Sequence, residues 1–171
     1  MSATTSNAPV PDPFAPFRRD HARLLEQLDQ LERGAFGAAA APDPAPLRAL
    51  VPVLERQFAT HMAAEDAVLY PAMAAALPAC RTTLEPLAAD HLELRLMLAT
   101  LGQRLAEAAS PVRDEQVRVL ARDLVDLLRL HIHREEAAVF DLAARVLSPA
   151  ESSELARRVA PYLQASSVPP P

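Results

Sequence analysis

The sequence contains no lysine and no tryptophan, only three glycines and one cysteine, and few β-branched residues. The single cysteine, Cys80, excludes an intramolecular disulfide, and we interpret it as an ordinary loop thiol. The scarcity of glycine and β-branched residues, beside abundant Ala, Leu, Arg and Glu, favours helix over strand. A chain of 171 residues is long enough for one domain with its own core. The composition therefore predicts an all-α domain.

Further absences argue against several partners and locations. No apolar run reaches the length that a bilayer-spanning helix needs. The net charge of -5 and the lack of a basic arm argue against nucleic acid as a partner. The N-terminus lacks the charged segment and apolar stretch of a signal peptide. We therefore expect a cytoplasmic protein with no nucleic-acid or membrane partner.

Apolar periodicity divides the chain into a helical domain with a tail at each end. We predict disordered tails at residues 1–14 and 166–171, because both are rich in small polar residues and proline. The domain, residues 15–165, should hold four main helices and a short fifth one. The predicted helices are about 15–33, 46–76, 83–108, 111–147 and 149–163. Short connections make neighbouring helices antiparallel, which predicts an up-down-up-down four-helix bundle built from a duplicated helical hairpin.

Local signals refine the helix ends. Thr82 with Glu85 has the spacing of a capping box at the start of the third helix. Ser110, followed by proline, is a typical N-cap, and Ser148–Glu151 repeats that logic. Pro71 lies inside the second helical pattern, and we expect it to kink that helix.

Polar residues recur in the chain at a spacing of 70 positions. Asp20–His21 returns as Asp90–His91, and residues 61–70 return as residues 131–140. The repeated His and Glu residues are His21, His61, Glu65, His91, His131 and Glu135. The alternative is a duplicated helical hairpin that binds no metal. Mutations after a duplication, however, should not leave mainly the inward polar positions unchanged. The repeat therefore indicates a two-metal site.

The spacing within each repeat suits metal binding. A His and a Glu four residues apart lie about 40° apart around a helix, so both can face one ion. Imidazole and carboxylate suit iron, manganese, zinc or copper better than calcium or magnesium. Four His and two Glu exceed the four ligands of a structural zinc. They fit two six-coordinate ions joined by two bridging glutamates and an oxo or hydroxo group, with about two positions left open.

At this point the chain resembles the hemerythrin-like, or HHE cation-binding, domain proteins across about residues 21–140. The resemblance implies a four-helix bundle that holds two non-haem iron ions. It also implies the metal ligands, which are His21, His61, Glu65, His91, His131 and Glu135. Known roles of the family include reversible oxygen binding, sensing of oxygen or nitric oxide, iron handling and di-iron repair.

The chain departs from the oxygen-carrying members of that family at two points. They have a fifth histidine one turn after the lone histidine of the third helix, and Arg95 occupies that position here. The last carboxylate, Glu135, follows its histidine by four residues where theirs follows by five. Arg95 either lines the mouth of the site or forms an ion pair on the surface. Oxygen transport is thus disfavoured.

Other polar residues near the repeat have open roles. His133 lies about 200° from His131 around the helix, so we expect it on the surface. Tyr70 either packs at the end of the bundle or forms a hydrogen bond near the metals; its repeat partner is Phe140. Four carboxylates either orient the ligand histidines or are solvated. They are Asp20, Asp66, Asp90 and Glu136.

The sequence thus predicts a di-iron protein that binds or senses a small diatomic ligand, oxygen or nitric oxide, or a small anion. A sensor without an output domain would need a protein partner. The first alternative is a di-iron enzyme that decomposes peroxide or reduces nitric oxide. Others are an iron storage or iron-centre repair protein and a metal-free structural bundle.

Overall fold

The computed structural model of the protein describes residues 12–35 and 45–165, and every regular element within these ranges is helical. Most of the predicted tails, residues 1–11 and 166–171, lie outside the described residues. The first predicted tail extends too far, because Phe14 is buried and its backbone N–H donates to the Asp12 side chain at 2.9 Å. Phe14 also stacks on Phe140 at 5.3 Å, so apolar contact holds this turn in the fold.

Four long helical rods follow one another along the chain, and the second and fourth contain short π-helical segments. The first rod is helix α1, which spans Ala15–Ala35. The second rod comprises α2, two π-helical segments and α3, which span Ala45–Gln57, Phe58–Met62, Glu65–Leu69 and Tyr70–Ala76. The third rod is α4, Arg81–Ala106, preceded by a 3₁₀ turn at Pro78–Cys80. The fourth comprises α5, a π-helical segment and α6, which span Pro111–Arg134, Glu135–Phe140 and Asp141–Val146. Helix α7 spans Pro149–Ala165. The prediction of an all-helical chain is confirmed.

Two of the three predicted caps are present. The Ser110 hydroxyl accepts a hydrogen bond from the Arg113 backbone N–H at 3.2 Å. Ser148 and Glu151 cap reciprocally: each backbone N–H donates to the other's side chain, at 2.8 and 3.3 Å. The predicted capping box at Thr82 is wrong. The preceding 3₁₀ turn leads directly into α4, which begins at Arg81, and the Thr82 hydroxyl donates back to the Ala79 carbonyl.

Two of the three π-helical segments begin at the two glutamates of the repeat, one at Glu65 and the other at Glu135. Pro71 follows the Glu65 segment, at the start of α3, where its missing N–H is tolerated. Asp141 occupies the equivalent position in the fourth rod, so proline is not required for the segment. Single-turn π segments inside α-helices occur frequently at functional sites.

Apolar side chains fill the rods in two clusters. The first apolar cluster includes Leu24, Leu28, Leu54, Phe58, Leu94, Leu98, Leu128 and Ile132. The second apolar cluster includes Phe14, Phe17, Val68, Leu69, Cys80, Leu87, Val139, Phe140, Leu155 and Val159. The last two belong to α7, which covers that end of the molecule. Cys80 is therefore a buried thiol, not a loop residue in solvent, and burial raises its pKa.

In the described part of the chain, no helix is both long and apolar enough to cross a membrane.

Candidate metal centre

The six repeated His and Glu residues meet in one buried layer between the two apolar clusters. All six side chains are almost completely buried. They form two overlapping groups, in which the facing atoms lie within 4.8 Å of one another: His21, His61, Glu65 and Glu135, and Glu65, His91, His131 and Glu135. Both glutamates belong to both groups. The structure therefore brings together every residue that the sequence predicted as a metal ligand, in two groups that share both glutamates.

The histidines face each other in two matched pairs. His21 Nε2 lies 2.9 Å from His61 Nε2, and His91 Nε2 lies 3.0 Å from His131 Nε2. Each pair joins a lone histidine of α1 or α4 to a histidine of the second or fourth rod. The near-equality of the two distances follows the 70-residue repeat. The pairs thus present two similar sets of ring nitrogens to the glutamates.

The two glutamates approach these histidines differently. Glu65 Oε1 is 2.9 Å from His61 Nε2, and Glu65 Oε2 is 3.4 Å from His91 Nε2. Glu135 presents one atom to both halves: its Oε2 lies 3.3 Å from His21 Nε2 and 3.3 Å from His131 Nε2. Its other oxygen accepts a hydrogen bond from the Tyr70 hydroxyl at 2.5 Å.

A ring of carboxylates contacts the outer nitrogen of each histidine. His91 Nδ1 lies 2.7 Å from Asp66, and His21 Nδ1 lies 3.1 Å from Glu136. The other two contacts are longer, 3.4 Å from His61 to Asp20 and 3.6 Å from His131 to Asp90. From the sequence, these four carboxylates could either orient the histidines or be solvated. The structure favours orientation for Asp66, Glu136 and Asp20, which lie within hydrogen-bond distance of a histidine Nδ1. His131 Nδ1 has no hydrogen-bond partner among the described residues.

The tautomer of His91 follows from this contact. Partial burial opposes ionisation of Asp66, but hydrogen bonds from His91 and Arg95 hold its pKa below the ordinary value. An ionised carboxylate only accepts, so His91 Nδ1 must donate. In neutral His91 the lone pair is then on Nε2, which faces His131 and Glu65. The Nε2 atoms of His21 and His61 also face inward, because their Nδ1 atoms contact Glu136 and Asp20.

The residues fit a metal cation. Both side-chain oxygens of Glu65 and the Oε2 atom of Glu135 are buried without a hydrogen-bond partner among the described residues. Buried carboxylates without compensation are costly, and a cation facing these atoms and the Nε2 lone pairs would satisfy them together. Imidazole and carboxylate donors suit iron and similar transition metals better than calcium or magnesium.

Without a cation, the raised pKa values of His61 and His91 favour protonation of these two rings. Burial would lower the pKa of His61, but the charge of Glu65 and the hydrogen bond to Asp20 raise it to about 10. Burial also opposes the charge of His91, but the hydrogen bond to Asp66 and the charge of Glu65 raise its pKa to about 9. Burial disfavours ionisation of Glu135, yet its contacts with His131 and His21 hold its pKa well below the ordinary value. The layer is therefore built to hold positive charge.

The family comparison agrees with this donor set. A family model described as the hemerythrin HHE cation binding domain matches residues 12–143. The chain belongs to this hemerythrin family. No curated protein and no solved structure matched the chain. The family recognised from the sequence is confirmed, and the match begins at residue 12, two residues before the buried Phe14.

Two other residues of this hemerythrin domain now have definite positions. His133 is exposed, as the helix period predicted. Arg95 donates to Asp66 Oδ2 at 3.0 Å and is 39 % exposed, which matches the surface ion pair. The guanidinium thus contacts the same carboxylate as His91.

The sequence predicted the surroundings of Tyr70 only in part. It packs in the second apolar cluster, as one alternative had it, but its hydroxyl also reaches Glu135 and its ring stacks on His91 at 5.6 Å. Its repeat partner Phe140 stacks on His21 at 5.7 Å in the same way. The 70-residue repeat could have indicated these matched ring contacts, because Tyr70 and Phe140 each follow the glutamate of their own repeat by five positions.

A small cavity adjoins the buried layer. Its volume is about 20 Å³, and it is lined by Asp20, His21, Leu24, Gln57, Phe58, His61, Met62, Leu128, His131 and Ile132. A cavity of about 10–15 Å³ is large enough for one water molecule. The cavity of this hemerythrin domain therefore admits a very small guest, and half of its lining residues are apolar.

Proposed function

We propose that the protein holds two non-haem iron ions and binds or senses a small diatomic ligand, oxygen or nitric oxide. His21 and His61 would hold one ion, and His91 and His131 the other. Glu65 and Glu135 would bridge them, together with an oxo or hydroxo group. The observation that carries the ligand proposal is the cavity of about 20 Å³ beside His21, His61 and His131, which suits a diatomic molecule better than an organic substrate.

The number of donors supports open positions for such a ligand. Each group of the layer offers two imidazoles and two carboxylates. An octahedral ion takes six donors, so positions remain beyond the protein ligands and the bridging group. When bound, the two iron ions would supply the redox electrons and the open positions that a diatomic ligand needs.

The residues around the layer have distinct parts in this function. Leu24, Phe58 and Leu128 line the cavity with apolar surface, so they exclude charged and larger molecules. Asp66 and Glu136 hold the rings of His91 and His21 so that Nε2 faces inward. Four imidazoles against two carboxylates place less negative charge on the metals than a carboxylate-rich shell would. This balance suits ligand binding and mild redox chemistry better than attack on strong C–H bonds.

We also propose that the four rods form an up-down-up-down bundle. Helix α1 packs against α2 and α5, and α4 packs against the same two helices. This is the cyclic neighbour pattern of a four-helix bundle. The connection between α4 and α5, residues 107–110, is short, which favours antiparallel neighbours.

The test is the response of anaerobically purified, iron-loaded protein to oxygen, nitric oxide and peroxide, measured by optical spectra. We expect a defined spectral change with oxygen or nitric oxide that reverses when the gas is removed. Sustained consumption of peroxide or nitric oxide without a stable bound state would favour the enzyme alternative. No spectral response to either gas would contradict the proposal. A protein partner and a cytoplasmic location remain predictions.

A further inference from the structure

The two shared glutamates use their oxygens unequally. Glu65 directs one oxygen to each half of the layer, Oε1 to His61 at 2.9 Å and Oε2 to His91 at 3.4 Å. Glu135 directs Oε2 to both halves, at 3.3 Å from His21 and 3.3 Å from His131. A duplicated hairpin would by itself make the two glutamates equivalent. Some residue outside the ligand set must therefore break the symmetry.

Tyr70 is the residue that differs between the halves at this point. Its ring stacks on His91 with an interplanar angle of 15°, and the ring of Phe140 stacks on His21 at 16°. Both residues are buried in the second apolar cluster. The aromatic rings thus occupy equivalent positions, and the phenol oxygen is what one half has and the other lacks.

The hydrogen bond from the Tyr70 hydroxyl to Glu135 is expected to be strong. It donates to Glu135 Oε1 at 2.5 Å, and both side chains are buried. A buried hydroxyl without a partner is costly, and a hydrogen bond to a charged acceptor is among the stronger ones in proteins. Glu135 Oε1 is therefore engaged by the phenol and directed away from the histidine Nε2 atoms.

We propose that Tyr70 is a positioning residue that makes the two bridging carboxylates inequivalent. This inference rests on the proposed di-iron site. The Tyr70 hydroxyl holds Glu135 Oε1, so that Glu135 meets both metal positions through Oε2 alone, while Glu65 gives one oxygen to each. The hydrogen bond also withdraws part of the Glu135 charge from the metal positions, which therefore keep more positive charge. The phenol thereby favours binding of a small anion at the exchangeable position.

The test compares iron-loaded wild type with Tyr70→Phe, which removes only the hydroxyl and makes position 70 match Phe140. Tyr162→Phe is the matched control, because Tyr162 packs beside the second apolar cluster and has no contact with the layer among the described residues. Iron per chain is measured first in all three proteins. Azide is then titrated into the ferric forms, and crystal structures of the iron-loaded wild type and Tyr70→Phe show how Glu135 binds.

We expect single-oxygen bridging by Glu135 in the wild type and two-oxygen bridging in Tyr70→Phe. Azide affinity should fall about tenfold in Tyr70→Phe, a change of about 1.4 kcal/mol in binding free energy, because the full Glu135 charge then opposes the anion. Tyr162→Phe should bind azide like the wild type. Two-oxygen bridging by Glu135 in the wild type overturns the inference, even if the variant holds no iron. An unchanged azide affinity in iron-loaded Tyr70→Phe also overturns it. Wild-type protein that binds no iron would instead refute the proposed function, and the inference with it.

Discussion

Asp66 Oδ1 accepts a hydrogen bond from His91 Nδ1 at 2.7 Å, which joins the second rod to α4 beside the buried layer. Its other oxygen accepts from Arg95 at 3.0 Å. The carboxylate therefore connects a buried ring to a guanidinium that is partly exposed to solvent. This contact fixes the His91 tautomer and so determines which nitrogen faces the layer.

We predict that Asp66→Asn weakens metal binding at the His91 position. The amide keeps the shape of the carboxylate but removes its charge, so it holds the imidazole N–H less strongly. Loss of such an orienting partner typically costs about 10–100-fold in metal affinity. A chelator competition with the iron-loaded protein measures this. Asp126→Asn, an exposed change on α5, is the control and should have no effect. Equal affinity in all three proteins would show that Asp66 is only a surface charge.

The bridging role of the glutamates gives the second prediction. Because Glu65 and Glu135 each contact both histidine pairs, removing either should loosen both ions. Glu65→Ala and Glu135→Ala should each reduce the iron content well below half of the wild-type value, by elemental analysis. The control is His133→Ala, which changes an exposed histidine two residues from His131 and should keep all the iron. Retention of one full ion in a glutamate variant would mean that the two positions bind independently.

Metal removal should lower stability. The carboxylates of Glu65 and Glu135 are buried without hydrogen-bond partners for three of their four oxygens among the described residues. A cation that binds the native state compensates them, and it raises the apparent stability by about 2.7 kcal/mol when free metal is at 100 times its dissociation constant. Thermal unfolding of chelated and iron-loaded protein, compared at one pH, measures the effect. Equal melting temperatures would contradict this.

Filling the cavity should hinder the ligand. Ile132→Phe places a larger ring against a space of about 20 Å³ beside the histidines. We expect slower binding of nitric oxide and azide by at least about tenfold, with iron content unchanged, and a stability cost of about 1–3 kcal/mol from overpacking. Stopped-flow absorbance on the iron-loaded protein gives the rates. Val119→Phe, an exposed change on α5, is the control. Unchanged rates in Ile132→Phe would mean that ligands reach the layer by another route.

The sequence was most informative where two independent patterns coincided. His61 and Glu65 share a helix face by spacing, and the 70-residue repeat selects the same pair again at His131 and Glu135. Such agreement is enough to find the buried layer and the helical architecture. His133 could be assigned to the surface because the helix period separates it from His131.

The details that the sequence left open depend on tertiary contact. The π-helical segments at Glu65 and Glu135 change the local helix period, and no residue type marks them, since only one is followed by proline. The capping box at Thr82 failed because a 3₁₀ turn already supplies the backbone entry to α4. The bond from Tyr70 to Glu135 joins positions 65 residues apart on different rods. The sequence alone does not show that the second and fourth rods are neighbours, so it could not decide whether the Tyr70 hydroxyl donates a hydrogen bond.

The central claim is that the buried layer holds two iron ions, and metal analysis after iron-replete expression tests it most directly. The protein is desalted anaerobically, and iron and zinc are measured per chain together with the Mössbauer spectrum of the ⁵⁷Fe-loaded form. The two overlapping groups around Glu65 and Glu135 predict two iron ions per chain with spectra of a coupled pair. One tightly bound zinc per chain, with no iron uptake by the metal-free protein, would contradict the account.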